Sequence, residues 1–261
     1  MLRGALGAAF RKTASSPQTY ARIFEPASLR PAPSGFADRP RPFVFRTAHL
    51  DGKTVEAEQC FWFDVNLFEV PNPPLEDFTR AFKHLAHEGL GPHRVLLELM
   101  SVEPTVATGL VSLSLDPPLS ATTQVRVEFV TPTELKGAEE ISSEPSFGVL
   151  FARTRDRIST LRALYGSGPL SIDFRSMGER ASAIRLTRSE LREVRAERRS
   201  GRTGHIHSIG GFSGTADYEG DLDEFIPYLE AARWTGVGRH CVWGNGELRV
   251  HRSGVELRSQ V

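Results

Sequence analysis

Between residues 42 and 102 the apolar positions change period twice. Pro42–Thr47 and Ala57–Val70 alternate as strands do; in the second, Phe61, Phe63, Val65 and Leu67 interleave with Trp62, Asp64 and Asn66, which predicts one buried and one open face. Behind Pro74, Leu75, Phe78, Phe82 and Leu85 recur at helical spacing, and Gly89 and Gly91 end that helix. His93–Val102 then reads as a returning strand.

A second block repeats the theme. Leu110–Leu115 and Gln124–Val130 both alternate around Asp116-Pro117-Pro118, so they predict a hairpin. Phe147–Leu164 predicts a helix with Phe147, Leu150, Phe151, Ile158 and Leu161 on one stripe, leaving Arg153, Arg155, Arg157 and Arg162 for a solvated face. Ser182–Arg195 and Gly204–Tyr218 read as strands. Asp221 is expected to cap a helix carrying Leu222, Phe225, Ile226 and Leu229, with Glu224 completing a capping box. Cys241–Trp243 and Glu247–Val250 read as closing strands. Strands with one helix, twice over, predict an α+β fold of two tandem ferredoxin-like units with antiparallel sheets, divided as residues 1–118 and 119–261. The five prolines of Pro26–Pro42 make that stretch an extended loop in the first unit.

Composition narrows the class. Of 261 residues 39% are hydrophobic and 25% charged, enough apolar content for a core and too much for a disordered chain. No run approaches the roughly 18 apolar residues of a membrane span. Net charge is zero, yet residues 151–202 hold 13 basic and 6 acidic groups, all the basic ones arginine. A planar guanidinium suits phosphate, although an arginine bias throughout the chain reads equally as genome composition. Cys60 and Cys241 form no CxxC or zinc spacing, which fits a reducing cytoplasm and gives no metal site. Residues 1–24 lack acids, as transit peptides do, but have no secretory apolar core.

The densest motif is Gly236-Val-Gly238-Arg239-His240-Cys-Val-Trp-Gly244-Asn245-Gly246. Glycines let backbone amides approach an anion and Arg239 suits a phosphate. The plainer alternative is a helix end at Gly236 and a type I′ hairpin at Asn245-Gly246. Neither a Walker loop nor a dinucleotide fingerprint is matched. His84 and His87 sit on a helix without a metal-binding partner motif, as surface histidines do. His205 and His207 share a strand face beside the arginine run and could act as general acid or base near a phosphodiester, or serve only structurally.

Gly210-Gly211-Phe-Ser-Gly214 through Leu222, followed by a helix and the Gly236–Gly246 loop, closely resembles the carboxy-terminal signature of the CRISPR-associated precursor-RNA processing endoribonucleases of the RAMP superfamily. Arg39-Pro-Arg-Pro-Phe43, Gly89-Leu-Gly91, Val130-Thr-Pro-Thr-Glu-Leu-Lys136 and Arg157-Ile-x-x-Leu161 follow the family order, so the resemblance covers nearly the whole chain. It implies two RNA-recognition-motif-like folds, a glycine loop gripping CRISPR repeat RNA (pre-crRNA), and cleavage without metal or cofactor by attack of the RNA's 2′-hydroxyl. By position, Gly236, Gly238, Arg239, Gly244 and Gly246 form the RNA-binding loop, and Arg199 and Arg202 contact phosphate. Other CRISPR effector subunits are implied as partners.

Leu2–Arg11 resembles the family's first helix, with no strand before it, and Ala8 stands where relatives often carry a histidine. Catalysis then falls to His207 or His240. The alternative is a catalytically inactive RNA-binding or scaffold subunit of a CRISPR effector complex. A ferredoxin-like module that binds no RNA is the third reading, and a flat salt dependence of RNA retention would favour it.

Overall fold

A computed structural model describes residues 2–26, 39–68, 71–91, 93–103, 111–118, 121–136, 144–199 and 206–252. Two apolar clusters organise them. The first joins helices α1 (Leu2–Thr13), α2 (Pro17–Phe24) and α3 (Leu75–Glu88) to a two-stranded antiparallel sheet of β1 (Phe43–Arg46) and β2 (Asp64–Leu67). Its centre is aromatic: Phe10, Phe24, Phe43, Phe45 and Phe78 are each no more than 4% exposed, and Phe10 and Phe43 both meet the Phe78 ring edge-on. Phe63, Val65 and Leu67 pack onto this cluster, the face their alternation predicts.

The second cluster lies in a four-stranded sheet of order β4-β7-β3-β8, with β3 (Gln124–Thr133), β4 (Arg185–Val194), β7 (Gly211–Glu219) and β8 (Leu248–Arg252). Between β3 and β4 run α4 (Phe147–Tyr165) and α5 (Phe174–Ser182), and between β7 and β8 runs α6 (Ile226–Thr235). Both crossovers skip one strand, and every neighbouring pair is antiparallel, the βαββαβ pattern of a ferredoxin-like unit. Val125, Val127 and Phe129 of β3 face the helices, where Phe225 meets both Phe147 and Phe151 edge-on. On the other face, Arg126 donates twice to its cross-strand partner Asp217, at 2.7 and 2.8 Å. The β4–β7 hairpin continues outward as β5 (Glu197–Arg199) and β6 (Ile206–Ser208), with Arg198 opposite His207.

Several sequence expectations change. His93–Val102 is no strand: it makes one bridge, Leu90 to Val95, and Val95, Leu96, Met100 and Val102 stay exposed, because an apolar run alone supplies no ladder partner. Residues 111–115 form no strand either, and β3 pairs with β7 and β8 instead of a hairpin mate; Leu110 and most of Pro26–Pro42 lie outside the described residues. The 182–195 strand begins at Arg185, since Ser182 ends α5, a helix the sequence reading missed. The Gly204–Tyr218 stretch divides into β6 and β7. Asp221 does not cap α6, which starts after Phe225. The carboxylates there are engaged elsewhere: Asp223 accepts the Thr122 amide at 2.6 Å and Glu224 pairs with Arg180. Cys241–Trp243 is a 3-10 turn.

The arginine-rich segment is also not a bare cationic face. Arg155 and Arg157 are buried, and Arg175, Arg180, Arg185, Arg188 and Arg195 each pair with a glutamate. Arg155 donates to the Phe174 carbonyl at 2.6 Å and lies over the Phe174 ring, tying α4 to α5.

Because Phe225 is 1% exposed between two rings of α4, Phe225→Ala should cost about 3–5 kcal/mol of stability. A urea midpoint equal to that of the unmodified protein would contradict this packing.

Candidate nucleic-acid interface

Helix α6 ends in carbonyls that its own backbone cannot satisfy. Side chains from three other elements supply the donors. Arg46 of β1 donates to the Arg233 and Trp234 carbonyls at 2.7 and 2.8 Å. Asn66 of β2 donates to the Trp234 carbonyl at 3.0 Å, and buried Arg157 of α4 donates to that of Thr235 at 2.8 Å. Two cations at the negative end of the helix dipole complement its field. Burial pulls the Arg46 guanidinium below its ordinary pKa, opposed by Glu247 and Asp64 and reinforced by Arg157. Arg157, expected on a solvated face, is instead a capping residue, because the amphipathic stripe of α4 cannot show that a second helix ends against it.

Gly236, with φ of 72°, closes α6 by donating to the Ala232 carbonyl, and the chain enters the glycine-rich loop. The end of β3 cradles that loop. Gly246 N donates to the Pro132 carbonyl and Arg239 N to that of Glu134, while Val237 N donates across the loop to Gly246. Thr131 Oγ1 donates to the Gly244 carbonyl and accepts from Glu247 N. Two glycines are required by close approach: a Cβ at Gly246 would lie 1.9 Å from the Val237 carbonyl oxygen, and one at Gly238 2.4 Å from that of Glu134, both at positive φ. The amides of residues 236, 237, 239, 243, 244, 246 and 247 all donate within the protein. These bonds and close approaches fix the path of the loop that carries Arg239 and His240. Asn245-Gly246 makes no type I′ hairpin, since the 3-10 turn before it removes the first strand and Asn245 Nδ2 donates instead to the Ile209 carbonyl at 2.7 Å.

That bond joins the loop to the base of the β5–β6 hairpin. His207 stands two residues before Ile209 and Arg199 on the opposite strand, while Arg202 lies outside the described residues. Within the loop, Arg239 donates to Glu134 at 2.6 Å, yet 59% of its side chain stays exposed. The other Glu134 oxygen is 4.0 Å from His240 Nε2. His240, itself at φ of 62°, stacks on Trp243 with centroids 4.8 Å apart and planes 1° apart, and the Arg3 guanidinium of α1 lies 5.4 Å from the Trp243 ring. Val242 packs into the first apolar cluster, and Thr47 lies against Gly244. Gly236, Gly238, Arg239, His240, Gly244 and Gly246 thus form one loop seated between both clusters. Sequence reasoning missed Arg3, Glu134 and Trp243. Trp243 carried a signal as the aromatic within the motif, and Glu134 only as part of the Val130–Lys136 stretch.

The loop has a negative carboxylate, an exposed cation and an imidazole within a few ångströms, groups that can bind a phosphodiester and move protons. Among the described residues no helix is long and apolar enough to cross a membrane.

Residues 127–248 match the family model for the CRISPR-associated endoribonuclease Cas6, and residues 1–115 match a model described as an N-terminal domain. A search of curated proteins finds no match. Among solved structures, the product complex of a Thermus thermophilus Cas6 superposes with a TM-score of 0.62 at 16% identity, covering 95% of this chain and 91% of that one. A second Cas6 product complex gives 0.48 at 17% identity, covering 94% and 92%. The first shows the tandem ferredoxin-like fold.

Arg46→Ala leaves two carbonyls of α6 without their charged donor and should lower stability by about 1.5–3 kcal/mol. An unchanged urea midpoint would show that the cap contributes nothing.

Proposed function

We propose that the chain is a member of the CRISPR-associated Cas6 endoribonuclease family, whose model matches residues 127–248, and that it binds CRISPR repeat RNA and cleaves pre-crRNA to crRNA in the cytoplasm. The single observation that carries this reading is the convergence at one loop of Arg239, His240, the α1 residue Arg3 and the base of the β5–β6 hairpin. In this reading residues 1–118 and 119–261 are two units holding the RNA between them, and Arg199 and Arg202 on the hairpin side contact phosphate.

The chemistry uses the RNA's own nucleophile, with no metal or cofactor. A base takes the 2′-hydroxyl proton, the 2′-oxygen bonds to the adjacent phosphorus, and the bond from phosphorus to the 5′-oxygen breaks. An acid protonates that oxygen. The products are a 2′,3′-cyclic phosphate and a free 5′-hydroxyl, and no water is consumed. His240 and His207 are the proposed proton carriers. Arg239 would exchange part of its bond to Glu134 for a phosphate oxygen and stabilise the charge that builds there.

One observation favours a second reading. Ala8, at the position where relatives often carry a histidine, is exposed on α1, and a protein lacking that proton carrier would bind repeat RNA without cutting it, as a subunit of a CRISPR effector complex.

Labelled repeat RNA incubated with the protein in EDTA should give one discrete cut, blocked by a 2′-deoxy substitution at the site. Uncut but retained RNA would select the binding subunit. In the nuclease, His240→Ala or His207→Ala should slow cleavage about 10²–10⁴-fold; equal rates in both variants remove these histidines from the mechanism. Arg239→Ala should weaken binding and reduce the salt slope by about 1, whereas an unchanged slope would place the phosphates elsewhere.

A further inference from the structure

The loop from Thr47 to Phe63 joins β1 to β2 and carries an aromatic group that neither apolar cluster uses. Trp62 is 64% exposed, although it is one of only three tryptophans in the chain. It is not loose. His49 stacks on one face, with centroids 4.0 Å apart and planes 23° apart, and His49 Nε2 lies 2.8 Å from the Trp62 carbonyl oxygen. One face of the indole is therefore supported and the rest of the side chain is left to solvent.

Its place in the fold is specific. The β1–β2 ladder ends at the pair Arg46 and Asp64, two residues from Trp62. Arg46 caps α6 at that same end, and Thr47, the next residue, lies against Gly244 of the glycine-rich loop. Trp62 thus stands just past the edge of the proposed RNA site. Its own loop carries Asp51, Glu56 and Glu58 against Lys53, so it is poorly suited to phosphate. What such a surface can take is the uncharged face of a base, since every base offers a π-face to an aromatic ring.

We propose that Trp62, backed by His49, is a stacking platform for one unpaired base of the RNA held at the glycine-rich loop. This rests on the RNA-binding reading and adds to it a contact of a different physical kind. Stacking releases no phosphate counterions, so it should raise affinity by the same factor at every salt concentration, unlike a contact through Arg239.

The test is retention of labelled repeat RNA by the full chain across a salt series, with Trp62→Ala, Trp62→Phe and Arg239→Ala compared. Trp62→Ala should weaken binding about 5- to 150-fold with an unchanged salt slope, and Trp62→Phe should restore most of the loss. Affinity of Trp62→Ala equal to that of the unmodified protein overturns the platform while leaving the RNA reading intact. A reduced slope in Trp62→Ala, as expected for Arg239→Ala, overturns it too, since the contact would then be ionic. If the unmodified protein retains no RNA, the platform falls together with the reading on which it rests.

Discussion

The capping of α6 is the interaction on which the rest of the structure depends. A helix of ten residues ends inside the protein, and its last carbonyls must find donors or cost their desolvation. Arg46 and Asn66 come from the strands of the first cluster and Arg157 from the main helix of the second, so one helix terminus is satisfied only when both parts of the chain are in place. The Tyr165 hydroxyl adds another link, donating to the Pro40 carbonyl at 2.9 Å. Satisfying the helix end fixes where the next residues go.

Those next residues are the glycine-rich loop. Its path is set by carbonyls of β3 and by the positive φ angles of Gly238 and Gly246, which keep the backbone within reach of Glu134 and Val237. With so many of its amides committed internally, the loop works as a rigid mount for side chains. Arg239 and His240 project from it toward Glu134 and Trp243, Arg3 reaches in from α1, and Asn245 ties it to the hairpin carrying His207. A site assembled this way has its geometry determined by folding and leaves an exposed cation to meet a polyanion.

Much of this was legible in the sequence. The period of three to four in Leu75–Leu85 and Phe147–Leu161 marked α3 and α4, and alternation in Gln124–Val130 marked β3, because one buried face imposes those periods directly. The glycine loop was visible as a motif, and the ordered elements around it carried the family. What escaped depends on tertiary partners. The apolar run in His93–Val102 cannot reveal that no strand among the described residues pairs with it, and an arginine on α4 looks the same whether it meets water or a helix end. Val130–Lys136 was noticed only as a matching stretch, yet its Thr131, Pro132 and Glu134 are what hold the loop. Arg3 gave no local signal, and Glu134 none beyond its place in that stretch, since they join the site across more than a hundred residues of chain.

The central claim is that repeat RNA lies at the junction where this loop meets α1 and the β5–β6 hairpin. Photocrosslinking of 4-thiouridine-substituted repeat RNA, with the attached peptides mapped by mass spectrometry, tests it most directly. The account predicts crosslinks within residues 236–246 and 196–210. Crosslinks confined to the outer surfaces of α4 and α5, with none at the loop or the hairpin, would contradict it.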